Sequence, residues 1–207
     1  MGSRRHEVLA PDLERRFVEG ARLSGEFFMG DSDVHKALEA LASRLVQLDI
    51  PYAIVGALAL NAYGYVRATI DVDVLLTREG LDRFKSTFLG RGYTEKLPGG
   101  KSMRDAVHNV DIDVLIAGDY PGDGAEKPVS FPDPAEAAVV GERFSLLPLE
   151  TLIELKLAAG MTAPHRLRDL ADVLELIRVN GLSAELGENL DPYVRDKYLE
   201  LWTAAQG

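Results

Sequence analysis

The sequence predicts an α/β (α+β) fold: a small mixed β-sheet flanked by helices, followed by a C-terminal helical bundle. Two features carry this expectation. Up to about residue 147, short β-branched runs bounded by turn residues alternate with amphipathic segments of helical period. After Pro148 only helical periods remain. The chain has 207 residues, 46% hydrophobic and 27% charged, which is ordinary for one domain with an appendage or two small domains. The division follows as an N-terminal arm over 1–30, a core over 31–147 and a helical region over 148–207.

The elements follow in order. From Asp31 or Ser32 as N-cap, Val34, Leu38, Leu41, Leu45 and Leu48 fall near helical spacing, and Pro51 stops that helix. Tyr52–Val55 reads as a short buried strand, and the small-residue run from Gly56 to Gly64 as a helix packed closely on it. Ile70–Leu76 is a second strand, with a helix from about Glu79 to Gly90. Ser102–Val107 and Val110–Ile116 read as a hairpin with Asn109 near its turn. The stretch from Asp119 to Pro134 is a loop by its Gly, Pro and Asp content, with a short strand around Ala137–Val140. A helix starts after Pro148 and ends at Gly160. Another, closed by Gly181, presents Leu167, Leu170, Ala171, Leu174 and Ile177, and a last one follows Asp191-Pro192.

Composition narrows the chemistry. With no cysteine, a disulfide scaffold, a thiolate-held metal and a cysteine nucleophile are excluded; the same absence fits a cytoplasmic location. The net charge of −10 argues against holding nucleic acid by global electrostatics. The longest apolar run, Tyr52 to Val66, falls short of the roughly 18–20 residues of a membrane span, so no membrane association is expected.

The chemistry concentrates in Thr69-Ile70-Asp71-Val72-Asp73-Val74. Residues i and i+2 of a strand share a face, so Asp71 and Asp73 project together while Val72 and Val74 face the core. At an effective dielectric near 20 and about 5 Å, their repulsion is roughly 3 kcal/mol. A hard dication such as Mg2+ would neutralise it. Asn109-Val110-Asp111-Ile112-Asp113 repeats the alternation. If the two strands are neighbours, one of its aspartates joins the pair, and three carboxylates are what two metal ions in phosphoryl transfer require. Spacing alone does not separate Asp111 from Asp113. At Val55-Gly56-Ala57 a strand enters a helix through small residues, where backbone N–H groups can meet a phosphate.

These segments together resemble the DNA polymerase β-type nucleotidyltransferase superfamily, whose signature is hydrophobic-Gly-[Gly/Ser], Asp-x-Asp, and a later single Asp on a strand. Within it the chain is similar to the branch of type IV toxin–antitoxin (AbiEii-like) nucleotidyltransferases. Arg67 and Thr69 match that branch's Arg-x-Thr before the first aspartate, and Lys156, Arg166, Arg168, Asp169 and Asp172 match its helical Lys and later Arg-Asp-x-x-Asp. The likeness covers roughly residues 35–178. It implies that Asp71, Asp73 and Asp113 hold two Mg2+ ions, the lone-Asp pattern favouring Asp113 over Asp111. It also implies that Gly56, Ala57, Arg67, Thr69, Lys156 and Arg166 contact the nucleotide.

The activity so implied is transfer of a nucleoside monophosphate from an NTP to a hydroxyl of RNA (such as tRNA), a protein or a small molecule, with a cognate antitoxin as a possible partner protein. Two positions depart from the pattern: Ala57 stands where Gly or Ser is usual, and Ile70 where a basic residue is frequent. Ala57 sustains the alternative of a catalytically degenerate nucleotide-binding or antitoxin-like partner. For Lys156 the residues alone equally allow a helical salt bridge with Glu150 or Glu154. Arg166 and Arg168 can equally pair with Asp169 and Asp172. His108 and His165 read as surface residues.

Overall fold

A computed structural model describes residues 33–141 and 143–207. The expected N-terminal arm and the N-cap at Asp31 or Ser32 lie outside the described residues.

Helix α1 (Asp33–Gln47) buries Val34, Ala37, Leu38, Leu41, Ala42 and Leu45, the stripe that the helical period dictates. It closes before Pro51, which corrects the expected stop. Ile50 N–H bonds Leu45 O at 2.9 Å and Asp49 N–H bonds Val46 O at 3.0 Å, with Asp49 in the left-handed region at φ 47°. That is a Schellman closure with aspartate in the position glycine usually takes. β1 (Ala53–Ile54) and α2 (Gly56–Ala62) follow as expected, then β2 (Asp71–Leu76). Thr77 caps α3 (Arg78–Phe88) by accepting from Gly80 N–H at 3.0 Å.

β3 (Tyr93–Glu95) was not anticipated; β4 (Met103–Asp105) and β5 (Val110–Ile116) form the expected hairpin, with Asn109 at φ 57° in its turn. After the loop come α4 (Pro134–Ala137), β6 (Val139–Val140) and β7 (Ser145–Leu146). β7 escapes a sequence reading because two residues carry no periodicity. The helical end comprises α5 (Leu149–Thr162), a 3-10 turn (Pro164–Arg166), α6 (Leu167–Asn180), α7 (Leu186–Asn189) and α8 (Pro192–Ala205).

Two further corrections fall in this helical part. Gly160 lies inside α5 and does not end it; a Cβ there would stand 2.5 Å from Leu170 Cγ, so the glycine permits α6 to pack on α5. The buried side of α6 is Asp169, Asp172, Val173, Leu176 and Ile177, while Leu167 is 66% exposed. The stripe is rotated from its expected position because two aspartates face inward, where a lysine neutralises them.

Among the described residues seven strands form one mixed sheet in the order β3-β4-β5-β2-β1-β7-β6. At its centre β2 and β5 run parallel over six residue pairs. Val72, Val74, Ile112 and Val114 are buried to 1% exposure or less, and α1 packs on these strands. One hydrophobic core continues from Val34 in α1 to Tyr198 in α8. The opposite side of β2 and β5 carries the aspartates. No described helix is long and apolar enough to cross a membrane.

Candidate active site

Parallel pairing of β2 and β5 sets Asp71 beside Asp111 and Asp73 beside Asp113, on strands about 4.8 Å apart. Four carboxylates thus share one side of the sheet, and their surroundings separate them. Asp111 accepts from Arg104 Nε at 2.6 Å and pairs with Lys96 Nζ at 2.9 Å. The Arg104 hydrogen bond, followed by that of Lys96, holds its carboxyl below the usual range. Thr69 Oγ1 donates to Asp71 Oδ1. Lys96 Nζ reaches Asp113 Oδ1 only at 3.5 Å.

Asp73 is the least compensated. Burial, then the charges of Asp71 and Asp113, push its pKa up to about 7, against a smaller opposing pull from Lys156 and Arg166. A cavity of about 280 Å³ opens in front of these strands. Asp71, Asp73 and Asp113 line it and Asp111 does not, so the two aspartates that spacing left equivalent occupy different environments.

Gly56 explains how α2 comes so close. Its φ is +61°, and a Cβ there would lie 1.9 Å from Asp73 Oδ2 and 2.6 Å from Asp73 Cγ. Only glycine satisfies both the left-handed backbone and that approach. Val55 N–H bonds Asp73 O at 3.1 Å, fixing the strand-to-helix turn against β2. Ala57, 5% exposed, is also on the cavity wall.

Facing the carboxylates is a cationic wall built by three segments. Lys156 of α5 is 7% exposed and pairs with Asp169 Oδ1 at 2.9 Å and Asp172 Oδ2 at 2.7 Å. Arg67 Nη1 meets Asp172 Oδ2 at 2.8 Å, and Arg166 Nε meets Asp169 Oδ2 at 2.7 Å. Three cations thus share two aspartates, leaving one positive charge in excess. The bond from Arg67 N–H to Asn61 Oδ1 at 2.6 Å ties the segment after α2 into this wall.

Lys156 therefore pairs across helices, not with Glu150 or Glu154; Glu154 instead accepts from Asp191 N–H at 2.6 Å. Gly56, Ala57, Arg67, Thr69, Lys156 and Arg166 all line the cavity with the three aspartates. Arg168 and His165 are exposed and stand outside it, and His108 Nδ1 contacts Asp105 Oδ2 at 2.9 Å beside the hairpin turn. The sequence reading missed Leu115, Pro121, Gly122, Phe131 and Leu155, which line the same cavity. Leu115 was within reach, being two residues beyond Asp113 on β5. A loop offers no period from which Pro121 or Phe131 could be assigned.

No protein-family model matches the chain, and no curated protein sequence does. Among solved structures it is similar to the solution structure of the antibiotic-resistance factor ANT(2'')-Ia, with 18% identity, 83% of this chain and 98% of that one covered, and a TM-score of 0.49. The crystal structure of ANT(2'')-Ia in complex with adenylyl-2''-tobramycin gives 17%, 81%, 96% and 0.47 on the same measures. JHP933 from Helicobacter pylori gives 18%, 83%, 89% and 0.45. At this level of likeness the chemistry of the site is read from the chain's own side chains.

Those side chains suit a hard dication in kind. Asp71, Asp73 and Asp113 offer only carboxylate oxygen, and the crowding that burdens Asp73 is what a dication relieves. Among the described residues no group of three or more His, Asp or Glu is already arranged to hold a metal ion. The three aspartates share a wall, and holding an ion requires their side chains to turn toward a common point.

Proposed function

We propose that the chain is a magnesium-dependent nucleotidyltransferase, moving a nucleoside monophosphate from an NTP to an acceptor hydroxyl and releasing pyrophosphate. One observation carries this reading: Asp71, Asp73 and Asp113 face the Lys156–Arg67–Arg166 cluster across a single cavity. Carboxylates on one wall and guanidinium and ammonium groups on the other match a metal–polyphosphate ligand, whose charges of both signs need partners.

Asp71 and Asp73 would hold the ion that accompanies the nucleotide, and Asp113 would complete a second metal site. Bound magnesium would lower the pKa of the acceptor hydroxyl and neutralise charge on the phosphates. The acceptor oxygen forms a bond to the α-phosphorus, the bond from that phosphorus to the β-bridging oxygen breaks, and Asp113 takes the hydroxyl proton. Lys156, Arg67 and Arg166 stabilise the charge gathering on the departing pyrophosphate. Thr69 orients Asp71 through its hydrogen bond, and Gly56 and Ala57 leave room for the triphosphate. The net charge of −10 favours a small or cationic acceptor over RNA, whose binding depends on displacing counterions with many basic contacts.

The test is label transfer from NTP carrying phosphorus-32 at the α or the γ position, with magnesium, to an aminoglycoside or to total RNA. Label from the α position alone is expected in one acceptor, and none with Asp113→Asn. Transfer from the γ position, or no transfer to either acceptor, would overturn the proposal.

A further inference from the structure

The cavity has a second character away from its charged groups. On β5, Leu115 lies two residues beyond Asp113 on the same side, about 7 Å along the strand. On α5, Leu152 lies one turn before Lys156, and both side chains line the cavity. Pro121 and Phe131 line the same cavity as these two leucines. Both come from the strap after β5, and Phe131 is the one aromatic side chain among the described residues lining the cavity.

That strap is held in place. Gly118 N–H bonds Phe131 O at 2.8 Å and Phe131 N–H bonds Asp119 O at 2.9 Å, so the two stems of the strap pair directly at the phenylalanine. Inside it, Lys127 Nζ donates to Pro121 O at 2.7 Å and to Asp123 Oδ1 at 2.6 Å. Gly122, at φ +77°, presses on α5 so closely that a Cβ would stand 2.2 Å from Thr162 Oγ1 and 2.9 Å from Ala159 O. Phe131 is half-buried, packed against the core while still bordering the cavity. A ring fixed from behind with an exposed side is a stacking platform that binding need not order.

We infer that this apolar part of the cavity receives the planar base of the nucleotide, stacked on Phe131, with the polyphosphate lying between the aspartates and the Lys156 cluster. Phe131 is then a binding residue for the base and not for the phosphates. The inference rests on the nucleotide reading above and deepens it. Stacking accepts any flat ring, because every base has a π-face, so the site favours purines by their larger area and discriminates little within each class.

The experiment is calorimetric titration of the full chain with magnesium–ATP and, separately, with magnesium–tripolyphosphate, which lacks the base. Phe131→Ala is expected to weaken ATP about 10- to 100-fold, the worth of one stacked base, and to leave tripolyphosphate unchanged. Phe131→Trp should hold ATP within about threefold of wild type. Phe131→Leu keeps the apolar packing but removes the ring, and should reproduce the alanine loss, which separates loss of stacking from any unsettling of the strap by alanine. ATP affinity unchanged in the alanine and leucine variants, or equal weakening of ATP and tripolyphosphate, would overturn the base site alone. Wild type that binds neither ligand would overturn the nucleotide reading and this inference with it.

Discussion

Replacing Asp73 with Asn is expected to stabilise the metal-free protein at neutral and alkaline pH while destroying its nucleotidyl transfer. The folded Asp73 keeps its proton until about pH 7, against an ordinary value of 3.8. Between those values the native state binds more protons than the unfolded chain, so stability falls as pH rises through that window and levels off above it. Three units at 1.36 kcal/mol each give an upper bound of about 4 kcal/mol for the loss. Asparagine resembles the protonated acid at every pH. Its advantage should be absent near pH 4, grow toward pH 7, and shrink when millimolar magnesium is added to wild type. Thermal melts of both proteins at pH 5 and pH 8, with and without magnesium, read this directly. Parallel pH dependence in the two proteins would contradict the electrostatic account of the site.

The second large effect concerns the wall opposite. Lys156→Met should cost about 3 kcal/mol, because Asp169 and Asp172 would remain buried at 6% and 1% exposure with one cation fewer. Breaking one member of a buried pair typically costs about 3–5 kcal/mol; the low end applies here because Arg67 and Arg166 still reach the two carboxylates. For a chain of this length each kcal/mol lowers the melting temperature by roughly 2–4 °C, so a fall of about 6–12 °C is expected. Adding Asp172→Asn to that variant should restore part of the loss, since the two side chains are in contact and their effects are not additive. Urea unfolding of the single and double variants measures the coupling. A change under about 0.5 kcal/mol for Lys156→Met would show the cluster to be structurally idle.

Much of the site was legible because its elements are periodic. Alternation along Asp71-Val72-Asp73 and Asp111-Ile112-Asp113 separates core side chains from the carboxylates, and β-branched neighbours make the strands. What no single strand encodes is the register between them, so the pairing of Asp73 with Asp113, and the cations that distinguish Asp111, emerge only in three dimensions. Lys156 was singled out only by the family resemblance, its local sequence offering Glu150 and Glu154 instead, because its partners sit 13 and 16 residues away on the next helix. Hydrophobic periodicity places Asp169 and Asp172 in solvent, and the reading of α6 went wrong for that reason. β3 and β7 are too short for a period, and the strap carrying Phe131 is held by backbone bonds that leave no mark on composition.

The most direct test of the central claim is calorimetric titration of each of the four NTPs into wild type and Asp71→Asn, with and without magnesium. It needs no knowledge of the acceptor. The account predicts binding that requires magnesium in wild type and is lost in the variant, because Asp71 would be a ligand of the ion that neutralises the polyphosphate. Magnesium-independent binding of equal strength in both proteins, or no binding by any NTP, would contradict it.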